Sequence, residues 1–79
     1  MTYYILAALY DEPRHGYDLI CAIERERGFR PRPEAIYPTL QFLEDVGAVF
    51  VLNGSRKRVY ELTEIGGDML AMYAARVSA

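Results

Sequence analysis

The stretch from Arg32 to Leu62 limits the folds open to this chain more than any other. Arg32-Pro33-Glu34-Ala35-Ile36-Tyr37-Pro38-Thr39-Leu40-Gln41-Phe42-Leu43-Glu44-Asp45-Val46-Gly47 reads as a helix with a glycine stop, because Ile36, Leu40 and Leu43 recur at the spacing of one helical face. Two short runs rich in β-branched and aromatic residues follow, 48–52 and 59–62, and Asn53-Gly54 between them signals a hairpin. Arg56, Lys57 and Arg58 load the tip of that hairpin with positive charge. A helix passed straight to a basic hairpin predicts a winged helix-turn-helix, in which the helix enters the major groove of a duplex and the wing lies along its backbone.

At 79 residues the chain makes one domain, and a domain of that size buries only about 60% of the surface its unfolded chain exposes. Yet 52% of the residues are apolar, with seven Tyr and three Phe, so a second copy of the chain is the natural source of further burial. A homodimer is expected on that ground. One Cys and one His exclude an intramolecular disulfide and a zinc site of the usual ligands, and no cofactor is expected. The apolar run from Tyr3 to Tyr10 is too short to span a bilayer and lacks the basic flank of a secretion signal. These features predict a cytoplasmic protein with no membrane partner.

The net charge is −2, so the molecule as a whole does not attract a polyanion, and affinity for one has to come from local patches. The distribution supplies them. Residues 25–32 carry four arginines against one acid, residues 33–53 carry three acids and no base, and residues 54–58 carry three bases. The Arg25 to Arg32 stretch also fits an ordinary solvated surface, since Glu24, Glu26 and Arg27 sit at helical spacing and can pair there.

The remaining elements follow closely, with no repeat or linker between them. A first helix over about Thr2 to Tyr10 has no polar face and must be covered on more than one side. Asp11-Glu12-Pro13-Arg14 breaks it. A second helix runs from about Gly16 to Arg27, turns Leu19, Ile20 and Ile23 inward, and stops at Gly28, with Phe29 expected to fold back onto its end. Pro33 suits the first position of the third helix, whereas Pro38 removes a hydrogen bond one turn in, so that this helix either starts later or bends. Thr63 is a good N-cap for a last helix from Glu64 to about Arg76, although Gly66-Gly67 weakens its first turn. On that helix Ile65, Met69 and Met72 form one apolar row and Leu70, Tyr73, Ala74 and Val77 another, which exceeds what one domain face requires. The candidate dimer interface comprises Tyr3 and Tyr4 of the first helix with Leu70, Tyr73 and Val77 of the last.

His15-Gly16-Tyr17-Asp18-Leu19, Ile36-Tyr37-Pro38-Thr39-Leu40, Leu43-Glu44-Asp45-Val46-Gly47 and Tyr60-Glu61-Leu62-Thr63-Glu64-Ile65-Gly66 occur in this order and span nearly the whole chain. Together they resemble the PadR-type transcriptional regulators. The resemblance implies a winged-helix dimer that represses transcription from a palindromic operator, released by a small aromatic effector near the dimer interface. It also implies that Tyr37 reaches the DNA backbone, that Thr39 and Gln41 face the groove, and that Arg56, Lys57 and Arg58 form the basic wing. Four features depart from the family pattern: Gln41-Phe42 in place of a basic pair, Glu34 in place of a small residue, a short wing, and an end after one C-terminal helix.

Two plainer readings stand beside this one. Tyr37 could be a half-buried packing residue, and the chain could be a winged helix used as a protein-interaction module, with Phe42 pointing away from the core toward a partner. His15 precedes a helix and fits a cap better than a ligand, and Cys21 fits a small apolar residue. No nucleophile with a base, phosphate loop or ligand cluster is legible, so an enzyme is not expected.

Overall fold

The structure, a computed structural model, describes residues 1–52 and 58–78. The elements are α1 (Thr2–Asp11), β1 (Arg14–His15), α2 (Gly16–Arg27), α3 (Pro33–Asp45), β2 (Val49–Leu52), β3 (Val59–Leu62) and α4 (Glu64–Ser78). The fold is mainly helical with a small antiparallel sheet, the winged helix-turn-helix expected above. The hairpin gains a third strand that periodicity does not reveal: β1 pairs with β3, Arg14 opposite Tyr60 and His15 opposite Val59, in the order β1-β3-β2. The tip residues Asn53, Gly54, Arg56 and Lys57 lie outside the described residues.

The core forms where α1 is wrapped. This helix packs against α2, α3, α4 and β3, as its lack of a polar face requires, and buries Ile5, Leu6, Ala8 and Leu9. Leu19, Ile20 and Ile23 of α2 and Ile36, Leu40 and Leu43 of α3 meet it, and Ala48, Val49 and Tyr60 close the side next to the sheet.

Both glycine stops operate through the left-handed conformation that only glycine takes without strain. Gly28 (φ 81°) returns its N–H to Glu24, and Gly47 (φ 81°) follows α3 while Ala48 N–H bonds the Leu43 carbonyl at 2.8 Å. Pro38 does not delay α3, which starts at Pro33 and continues to Asp45. Pro38 and Glu34 are both exposed, so the Glu34 carbonyl that loses its donor lies on the open side of the helix. Phe29 reaches past the end of α2, and its ring stands edge-on to Tyr4 of α1, centroids 5.5 Å apart.

The joint between sheet and α4 is close. Thr63 hydroxyl donates to the Gly47 carbonyl at 2.6 Å and accepts from Gly66 N–H at 3.1 Å, which makes it the expected N-cap and a tie to the end of α3. Gly66 is required here: a Cβ would lie on the Ala48 carbonyl oxygen. The weak first turn is thus the condition for bringing α4 against the backbone of Ala48. Of the two apolar rows on α4, Leu70, Tyr73 and Met69 pack against the core, while Ile65 and Met72 stay exposed.

Candidate nucleic-acid interface

Three segments converge on one side of the molecule: the start of α2, the first half of α3 and the base of the wing. Between them lies a cleft of about 390 Å³ lined by His15, Gly16, Tyr17, Tyr37, Arg58 and Tyr60. Each wall has a local cause. His15 caps α2, its Nδ1 accepting from Asp18 N–H at 3.4 Å while Nε2 stands 3.0 Å from the Asp18 carboxylate. Pairing of β1 with β3 then holds His15 beside the wing. Gly16 gives Tyr37 its seat, since a Cβ on Gly16 would stand 2.5 Å from the Tyr37 hydroxyl. Tyr37 is accordingly half-buried, with one face packed on α2 and about half of the side chain exposed.

Arg58 is the described base of the wing. Its Nη2 lies 3.1 Å from Glu44 Oε1 on α3, and its guanidinium stands 5.7 Å from the Tyr60 ring centroid. The ion pair is largely exposed, contributes at most about 1 kcal/mol, and mainly aims Arg58 across the cleft. Burial pushes the Tyr60 phenol above its ordinary value, partly offset by Arg58, so the hydroxyl keeps its proton and remains a donor. On the far wall Arg30 stacks over Tyr17 at 5.9 Å and pairs with Glu24 at 2.9 Å, which brings a second guanidinium to the rim. The cleft therefore offers phenolic donors beside two guanidiniums, each paired with a carboxylate whose place an oxyanion such as phosphate would share or take.

The α3 face is different. Glu34, Tyr37, Gln41, Phe42 and Asp45 are exposed, and no base occurs between Pro33 and Asp45. Thr39 turns its hydroxyl onto the Ala35 carbonyl at 2.8 Å, and Gln41 Nε2 donates to Asp45 Oδ1 at 3.0 Å. Phe42 is 53% exposed and Val46, one turn on, 43%. The structure thus brings Tyr37 and Arg58 together, sets Thr39 and Gln41 further along the same helix, and leaves Arg56 and Lys57 outside the described residues. Sequence reasoning missed Tyr17, Tyr60 and Glu44 as neighbours of Tyr37 and Arg58. The motifs containing them were visible, but no spacing tells that segments this far apart meet.

The residues proposed for dimerisation lie on α1 and α4. Tyr3 and Tyr4 are half-buried and stack with Arg27, whose guanidinium lies 5.4 and 5.1 Å from their centroids. Leu70 and Tyr73 are half-buried against the core, and Val77 falls in the last turn of α4. A shallow notch of about 130 Å³ opens on α4 among Met69, Met72, Tyr73 and Arg76.

Among the described residues no helix is long and apolar enough to cross a membrane. Comparison with known proteins gives a consistent picture. The profile described as "Transcriptional regulator PadR-like family" matches residues 5–72. The chain is 39% identical over 70 residues to the transcriptional regulator YqjI of Escherichia coli, covering 84% of this chain and 33% of that protein. It thus spans about a third of the length of the curated relatives it matches. Among solved structures, Bacillus subtilis PadR in complex with operator DNA superposes with a TM-score of 0.80 at 29% identity, over 92% of this chain and 45% of that one. A transcriptional regulator from Clostridium thermocellum reaches a TM-score of 0.90 at 18% identity, over 99% and 82% of the two chains, a likeness of fold alone.

Proposed function

The chain belongs to the PadR-like family of transcriptional regulators, and from that premise we propose that it binds double-stranded DNA as a homodimer, α3 in the major groove and the wing along the backbone. It is a regulator, not an enzyme. The observation that carries the DNA reading is the cleft in which Tyr17, Tyr37 and Tyr60 converge with Arg58 at the edge of α3, donors and a cation where the helix would enter a duplex. A phosphate seated there would fix the register of α3, and Arg56, Lys57 and Arg58 would follow the adjacent backbone. The Bacillus subtilis relative, of the same fold over nearly all of this chain, holds operator DNA.

In this reading Tyr3, Tyr4, Leu70, Tyr73 and Val77 lie at the dimer surface, and two α3 helices about one duplex turn apart (roughly 34 Å) select a palindromic operator. Repression follows from occupying a promoter, in the cytoplasm, and a small aromatic effector would act by changing the spacing of the two helices. Titration of a labelled fragment of the protein's own promoter against the full chain, at several salt concentrations, tests the assignment. Replacing Arg56, Lys57 and Arg58 together by alanine should lower the salt slope by about three units. Binding that ignores all three changes would count heavily against it.

A second reading is favoured by one observation: Phe42 and Val46 are exposed one turn apart on a helix that carries acids and no base. A winged helix that docks a protein partner there would fail to retain any duplex at low salt, and Phe42→Ala would release the partner.

A further inference from the structure

Gln41 lies on the exposed side of α3, and its Nε2 donates to Asp45 Oδ1 at 3.0 Å, one turn further along. That bond uses one of the two N–H donors of the amide and biases which way its oxygen points. An amide so held presents one remaining N–H beside one carbonyl oxygen. The major-groove edge of adenine, an N7 acceptor beside an N6 amino donor, is its complement, whereas guanine offers two acceptors there and would set its O6 against the amide oxygen.

The other polar side chains of α3 are less suited to the task. The Thr39 hydroxyl is committed to the Ala35 carbonyl, the Tyr37 ring is seated on Gly16, and Glu34 only accepts. We infer that Gln41 reads an adenine and that Asp45 is its positioning residue, which selects adenine over guanine without touching the base. This rests on the DNA reading above and deepens it. It also accounts for a carboxylate on a surface that approaches phosphates: Asp45 opposes binding to every sequence alike but narrows the choice among them.

The test is selection from a randomised duplex library by the full chain and by Gln41→Ala, Asp45→Ala and Asp45→Glu. The unaltered chain should enrich adenine over guanine at one position by about fivefold or more. Gln41→Ala should erase that preference. Asp45→Ala should bring it within about twofold while retaining at least as much total DNA, and Asp45→Glu, which keeps an acceptor-only partner at the same spacing, should restore it. A preference untouched by Gln41→Ala or by Asp45→Ala overturns the inference and leaves the DNA reading standing. Failure of the unaltered chain to retain any duplex at low salt overturns both.

Discussion

The surface around α3 and the surface around the base of the wing lie side by side and have opposite chemistry. From Pro33 to Asp45 the chain offers carboxylates, an amide and an exposed aromatic, and no cation. Beside it, Tyr17, Tyr60 and Arg58 line a cleft that Tyr37 closes from α3, with Arg30 stacked over Tyr17, so that phenols and guanidiniums gather there. In the DNA reading proposed above, the difference divides the labour of binding. Long-range attraction to a polyanion has to come from the cleft and wing, because charge alone sets that term, while the helix can contribute only short-range discrimination. A chain with net charge −2 tolerates this division because the wing bases are concentrated in three consecutive residues.

The largest effect should come from removing the cationic side. Substituting Arg56, Lys57 and Arg58 by alanine takes away about three charged contacts and should weaken duplex binding ~100-fold or more in a low-salt anisotropy titration. An effect below tenfold would place the affinity on α3 and break the comparison. Gly16→Ala comes next: its methyl displaces the Tyr37 ring, so binding should fall about tenfold while the circular dichroism of the helices stays unchanged. If Tyr37 were only a packing residue, this variant would lose melting temperature and keep its affinity. Tyr37→Phe keeps the ring and deletes one neutral donor, a loss of about 1 kcal/mol or roughly fivefold in affinity. Smallest, and opposite in sign, Glu34→Gln removes a carboxylate from the α3 side and should tighten binding about twofold at low salt, an advantage that vanishes near 0.5 M salt. No change at low salt would mean that Glu34 does not approach the backbone.

The helices were legible in the sequence because each depends on local signals: the repeat of Ile36, Leu40 and Leu43, and the stops at Gly28 and Gly47. What was not legible depends on distance along the chain. Arg14 and His15 form a strand only because Val59 and Tyr60 come to lie beside them, and two residues carry no period. The cleft escaped for the same reason, since Tyr17, Tyr37 and Tyr60 are far apart in sequence and meet only when β1 clips α2 to the wing. On α4 two apolar rows were visible, but nothing local could say that Leu70 and Tyr73 would pack against the core and Ile65 and Met72 would stay open. The bond between Gln41 and Asp45, by contrast, is a neighbour effect of helical spacing and was within reach of the sequence.

The Thr63 hydroxyl touches both the carbonyl that closes α3 and the amide that opens α4, with Gly66 pressed against the backbone of Ala48. One hydroxyl thus serves as a splice: the end of α3 and the start of α4 share a single polar contact, so Thr63→Val would loosen both helix ends at once.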